Sequence, residues 1–355
     1  MRERQAAVVA VLLLASVGVG KAAAATLQSV IDDARQEGQL SIVAGESILG
    51  GANARLIDAF NKYYGLSIDV RFTPGPPVPA MVATVIQQTQ AHKQAATDVI
   101  IGFSNHMFDL INAHAIQKPD WQDWAPNLKG PGLVSSEGEA VPVQSGTPGI
   151  AYNTTVFQSD DIPTKFQALL DPKLKGRVAT TVYASYLDRL ALPEMWGREK
   201  TFDFARKLSD QVGGLIRCNE LNRLASGEFD VFGLTCSQTD PLVVAAKGAP
   251  VGFTLASDAP IIMLLYEAVP VMAAHPNTAK LWINFMSSPE GQKLLYEVSF
   301  ADLSLLPGSQ TAKSIAAVEA KGAKFLVIDV DFYRQHDAAA MNRDLAEAQK
   351  IFQTR

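Results

Sequence analysis

From about residue 26 onward, apolar positions fall alternately into short runs and into stripes spaced three and four apart. Residues 40–44 (LSIVA) read as a buried strand, 66–72 alternate as a second, and 98–101 form a third. Between them, Leu27, Val30, Ile31 and Ala34 predict a short helix stopped at Gly38. Ile57, Phe60 and Tyr64 share the face of a helix ended by Gly65, and Met81, Val82, Val85 and Ile86 mark another. The middle repeats this grammar, with strands expected at 149–152, 177–181, 229–234 and 251–255. Helices are expected there at 186–195, 200–208, 219–225 and 241–246. Segment 259–274 is strongly apolar but interrupted by Glu267 and Pro270, and reads as a pair of buried strands. The tail, 336–352, is amphipathic through Ala340, Met341, Leu345, Ala348 and Phe352, and should dock on the core. Strands alternating with helices imply a mostly parallel sheet covered on both faces, an α/β fold.

The clearest helical signal lies at 275–298, HPNTAKLWINFMSSPEGQKLLYEV. Leu281, Trp282, Phe285 and Met286 form one stripe. Ser288 then offers an N-cap, Pro289 suits the first helical position, and Leu294, Leu295 and Val298 resume the stripe. A capped break between two buried helices follows.

The beginning of the chain changes the setting. Arg2 and Arg4 precede an apolar stretch from Ala6 to Gly20, and Ala22 to Ala25 supply a small-residue cleavage site, so residues 1–25 read as a signal peptide. No Cys follows that stretch, which argues against a lipid anchor. The mature protein is expected to be exported to the periplasm. Removing Arg2, Arg4, Lys21 and Glu3 leaves 31 less three basic residues against 36 less one acidic, a charge of −7. Such a surface disfavours nucleic acid and anionic lipid as partners. About 330 mature residues exceed one ordinary core, so two lobes are expected. Cys218 and Cys236 are the only cysteines; in an exported chain they favour a disulfide, with two buried thiols as the alternative. The five histidines have no CxxC or HExxH companion, so no zinc-type metal site is legible and no cofactor is expected.

The 275–298 stretch resembles the HPN-x-A-K … F … SPEGQ-x-L segment of periplasmic solute-binding proteins of ABC importers. It is most similar to the subgroup with ferric-iron, thiamine, polyamine and phosphonate binders, and the resemblance runs from about Leu40 to the C-terminus. It implies two Rossmann-like lobes joined by a hinge, the type II periplasmic binding protein fold. It also implies lobe 1 over 27–128 and 259–300, lobe 2 over 129–258 and 301–355, and a monomeric carrier that hands a small-molecule solute to an ABC permease in the inner membrane.

In open α/β sheets ligands lie beyond the carboxyl ends of strands, near helix N-termini. The polar strand-to-helix junctions are therefore the candidate ligand-binding residues. Glu46 and Ser47 follow the first strand, and Ser104 and Asn105 the third. Ser145 and Thr147 lie in QSGTPG; Tyr183, Ser185 and Tyr186 follow VATT; Ser237 and Gln238 follow FDVFGL; Asp258 follows VGFTL. Each residue alone is more often a satisfied cap or turn than a ligand contact, and only their number at strand ends argues for a cleft. The tyrosines have the strongest individual claim.

The resemblance also bears on iron. The family's iron binders carry adjacent tyrosines after a GE-x-D motif, whereas Gly227-Glu228-Phe229-Asp230 here precedes Thr235-Cys236-Ser237-Gln238. The chain departs from the iron pattern, and Tyr63-Tyr64 reads as core packing. Hydroxyls, amides and helix N-termini suit a small organic anion such as a carboxylate, phosphonate or phosphate ester. A cation such as a polyamine would instead use Glu46, Asp240 or Asp258 with aromatic faces. Trp121 and Trp124, in QKPDWQDW, read as surface residues. Arg71, Arg177 and Arg189 are candidate anion clamps, though each also reads as a solvated charge. No GxSxG, SxxK, P-loop or helical carboxylate pair is present, so catalysis is not expected. An exported hydrolase and a ligand-sensing partner of a receptor are the rival readings.

Overall fold

The computed structural model describes residues 25–44 and 53–353. The expected leader lies outside the described residues except for Ala25, and so do Glu46 and Ser47. In chain order the first elements are α1 (Leu27–Glu37), β1 (Gln39–Ala44), α2 (Asn53–Tyr64), β2 (Asp69–Pro74), α3 (Val78–Gln90), β3 (Ile100–Phe103) and α4 (Ser104–Asn112). Then come α5 (Trp121–Trp124), β4 (Ala140–Gly146), β5 (Gly149–Asn153), β6 (Val178–Thr181), α6 (Leu187–Leu190), α7 (Arg198–Gln211) and β7 (Val212–Ile216). Next are α8 (Asn222–Ala225), β8 (Val231–Gly233), α9 (Thr239–Ala246), β9 (Val251–Leu255) and β10 (Ile261–Ala268). The last are α10 (Pro276–Met286), α11 (Pro289–Ser299), α12 (Gln310–Glu319), β11 (Leu326–Ile328), α13 (Val330–Gln335) and α14 (Ala338–Gln353).

Two sheets organise these elements. In the first, β1 pairs in parallel with β2, a parallel bridge from Ile42 to Val99 leads to β3, and β10 runs antiparallel to both β3 and β4. The order is β2-β1-β3-β10-β4. Edge β11 takes up the rest of the β10 edge that β3 occupies, so β3 and β11 meet there end to end. The second sheet has the order β7-β6-β8-β5-β9, with β5 antiparallel to both neighbours. In both sheets one strand, β1 in the first and β6 in the second, has its following parallel strand on one side (β2, β7) and the next parallel strand on the other (β3, β8). That reversal opens a crevice at the carboxyl edge of each.

Each sheet has its own apolar core. The first is built around Phe60, Trp282, Phe285 and Ile100, the second around Phe166, Phe204, Leu187 and Ile150. Strand β10 serves both: Ile262 and Leu264 enter the first core, Ile261 and Met263 the second. The two helices expected at 275–298 form as α10 and α11, with Pro276 and Pro289 in their first turns. Ser288 Oγ accepts from the Gly291 amide at 3.0 Å.

Several expectations are corrected. The chain leaves the first lobe at 147–148, not at 128/129: Leu133, Val141 and Val143 sit in the first core and β4 pairs with β10. Pro142 masks this strand in the sequence; it is tolerated because β4 is an edge strand with a register shift opposite Leu265 and Tyr266. Residues 301–320 also differ, since Leu303 and Ile315 join the first core; α13 divides, with Val330 in the first core and Phe332 and Tyr333 in the second, and α14 packs on the second. Segment 259–274 holds one strand, not two, because the chain turns after Ala268. Helix α6 is a single turn within the expected 186–195. Trp121 and Trp124 are buried, with Trp121 Nε1 donating to the Gly138 carbonyl at 2.9 Å. The indole N–H is satisfied, so both rings can leave solvent.

Candidate functional site

The crevice edges are made by the segments after β3, β6 and β8. After β8 the chain enters a tightly held loop. Leu234 is left-handed (φ 56°), the Thr235 hydroxyl oxygen accepts from the Gly149 amide at 3.1 Å, and Cys236 is bonded to Cys218 across Cα atoms 5.8 Å apart. The Gln238 side chain bridges lobes. Its Oε1 accepts from the Thr147 amide at 2.8 Å and hydroxyl at 3.1 Å, and its Nε2 donates to the Ser145 carbonyl at 3.1 Å. The stretch between β4 and β5 is therefore pinned by an amide from the second lobe. After β6, Ala184 (φ 51°) and Tyr186 (φ 68°) are also left-handed, and the Tyr186 hydroxyl donates to the Cys236 carbonyl. Three of the non-glycine left-handed residues thus stand on two linked loops. Such strain persists only where surroundings hold it, and it gathers at ligand sites.

A cavity of about 150 Å³ lies between the lobes at this point. The first lobe contributes Phe103, Gln144 and Leu265, the second Ser237, Thr239 and Asp240, and the shared strand β10 adds Met263. A larger cavity of about 290 Å³ lies on the far side of Gln238, among β9, α11 and α12. It is remote from the strand-order reversal, so the smaller one is the better candidate for the bottom of a solute cleft.

Its electrostatics are simple. Burial pushes the Asp240 carboxyl above its ordinary range, and among the described residues it has no hydrogen-bond or ion-pair partner. Gln144 Nε2 is spent on Ser299 Oγ (3.0 Å) and the Ala301 carbonyl (3.2 Å). His106, beneath Phe103, accepts from the Phe103 amide through Nδ1 at 3.2 Å. Burial, with help from Arg189, lowers its pKa to about 4, so the ring is neutral at physiological pH. Arg189 is held 2.7 Å from Asp188 and donates to the Tyr333 hydroxyl at 2.7 Å. Arg71 and Arg177 pair with Asp69 and Asp230, both outside the cavity lining.

The expected site residues divide. Ser237 lines the 150 Å³ cavity, and Thr147 and Gln238 line the neighbouring one. Ser104 is fully buried and donates to the Ile328 carbonyl at 2.5 Å, closing the junction where β3 meets β11. Asn105 is half-buried in the first turn of α4. Ser145 is buried against Ser304 at 2.8 Å. Ser185 Oγ accepts from the Thr181 hydroxyl at 3.0 Å. Tyr183 is 46% exposed, whereas Tyr186 is buried with its hydroxyl engaged. Asp258 accepts from the Phe166 and Gln167 amides, at 2.8 and 3.2 Å, and so caps a turn of the second lobe.

Sequence reading missed Phe103, Gln144, Met263, Leu265 and Thr239. The first four sit on strands and their ends, where apolar patterning reads as core. Phe103, however, is 41% exposed.

Comparison with known proteins follows from this geometry. A family model described as bacterial extracellular solute-binding protein matches residues 95–336. A substrate-binding protein of an ABC transporter from Agrobacterium tumefaciens superposes with a TM-score of 0.72 at 18% identity, covering 90% of this chain and 96% of that one. The binding protein AgtB from A. tumefaciens R10, solved with agropinic acid, gives 0.67 at 19%, covering 89% and 99%. Apo ferric ion-binding protein A of Pasteurella haemolytica gives 0.66 at 15%, covering 89% and 97%. These likenesses establish the two-lobed fold. No curated protein matches the sequence.

Proposed function

Given that this chain belongs to the bacterial extracellular solute-binding protein family, we propose that it is the substrate-binding component of an ABC importer. It captures a small solute between its lobes and presents it to a permease in the inner membrane. The supporting observation is the cavity shared by Phe103 and Asp240, one residue from each lobe, at the carboxyl edge of both sheets. The connections at 147–148 and 256–260, with the return of the chain past β11, are the hinge. Closure brings the two half-sites together, so the measured affinity contains the open-to-closed equilibrium.

The carrier works as an exported monomer and leaves its solute chemically unchanged. Among the described residues no helix is long and apolar enough to cross a membrane. A small organic anion is the reading that the hydroxyls and amides expected at the strand ends suit. The lining charge argues differently, as developed below. Where iron binders carry tyrosines, this chain places a disulfide-bonded cysteine at 236.

A thermal-shift titration with the low-mass extract of the exporting cell tests the reading. A solute at 100 times its dissociation constant stabilises by about 2.7 kcal/mol. Chemical turnover of the stabilising component would replace the carrier reading with an enzymatic one.

A further inference from the structure

We infer that the interlobe cavity recognises a small organic ammonium group, seated on the Asp240 carboxylate and against the Phe103 ring; this rests on the cleft being the solute site.

Three observations carry it. First, Asp240 is the sole ionisable side chain lining the cavity among the described residues. Its carboxylate is half-buried, without a hydrogen-bond or ion-pair partner. A desolvated carboxylate is costly unless a cation joins it. Its place in the first turn of α9 favours its charge. A second anion brought to the same helix end would meet that charge.

Second, the opposite lobe presents Phe103 to the cavity, 41% exposed, and an aromatic face near a cation is attractive where water is excluded. Met263 and Leu265 complete an apolar wall suited to the carbon attached to the nitrogen.

Third, acceptors exceed donors. Gln144 Nε2 donates to Ser299 Oγ and the Ala301 carbonyl, so its amide oxygen and the two Asp240 carboxylate oxygens are acceptors, against the hydroxyl donors of Ser237 and Thr239. An ammonium group brings only donors. Among the described residues no cation lines the cavity to meet a carboxylate or phosphonate, and Arg189 is engaged by Asp188 and Tyr333.

The test is isothermal titration and thermal shift of the full mature chain with putrescine, agmatine and choline, alongside succinate and methylphosphonate. At least one amine is expected to bind. Asp240→Asn should weaken that binding about tenfold or more, and Phe103→Ala about threefold or more. The unliganded Asp240→Asn protein should melt at the same temperature or higher, since an unpaired carboxylate is removed; this separates recognition from folding. Binding of the acids but not the amines, or an amine affinity indifferent to Asp240→Asn, overturns the inference. No response to any amine also overturns it. In that case a thermal shift with low-mass cell extract still upholds solute capture, so the two failures are told apart.

Discussion

The Tyr186 hydroxyl donates to the main-chain carbonyl of Cys236, joining the loop after β6 to the loop after β8 within the second lobe. Tyr186 is buried, and burial pushes its phenol well above its ordinary pKa, so it stays a donor at any physiological pH. Because Cys236 is also disulfide-bonded and borders Ser237, this one hydroxyl helps set the cavity wall.

Tyr186→Phe leaves the carbonyl of Cys236 without this donor and the left-handed turn at Ala184 and Tyr186 less firmly held. The expected cost is about 1 kcal/mol of stability. It should be read as a lower urea midpoint with unchanged slope. Solute affinity should fall with it.

Reducing the Cys218–Cys236 bond, which spans a sequence separation of 18, should cost about 3 kcal/mol. The melting temperature of the Cys218→Ser, Cys236→Ser double variant measures it. A variant as stable as the parent would show that the loop is held by Tyr186 and Thr235 alone.

Glu267 lies in β10 with no exposed surface. Its Oε1 accepts from Trp282 Nε1 at 3.4 Å, while Oε2 is buried without a partner. Burial raises its pKa from 4.5 to about 8. The folded chain therefore holds a proton between these values that the unfolded chain has released. The associated stability is fully present below pH 4.5 and is lost as pH rises towards 8, by up to about 1.4 kcal/mol per pH unit. Glu267→Gln should remove this slope and be more stable than the parent at pH 8, as denaturant midpoints from pH 5 to 8 would show. His106 acts in the opposite sense, losing stability as pH falls from 6.5 towards 4, and is common to both proteins.

Gln238→Ala removes three hydrogen bonds at the crossing between lobes and leaves the buried Thr147 amide and Ser145 carbonyl short of partners. A loss of about 1–3 kcal/mol is expected. Hydrogen exchange should quicken at Thr147, because its protected amide sits in the hinge.

Much of this was legible before the structure. The stripe through Trp282 and Phe285, the Ser288 cap and the strand runs all follow local rules, and α10, α11, β1, β6 and β9 form where those rules put them. What failed was decided by partners distant in sequence. Strand β4 exists because β10 accepts it, despite Pro142, and Trp121 is buried because the Gly138 carbonyl meets its N–H. The site shows the same divide. Polar residues at strand ends were visible, yet Ser104 and Asp258 are spent on main-chain partners, and local pattern cannot distinguish such a cap from a contact. Phe103 lay beyond the strand expected at 98–101 and drew no reading, although it lines the cavity.

Small-angle X-ray scattering is the most direct measurement of the two-lobed clamp. The full mature chain should be stripped of solute by unfolding and refolding, then titrated with low-mass extract of the exporting cell. A radius of gyration that falls and saturates is the predicted result. One unchanged profile throughout the titration, from a sample whose melting temperature also stays fixed, would contradict capture by closure.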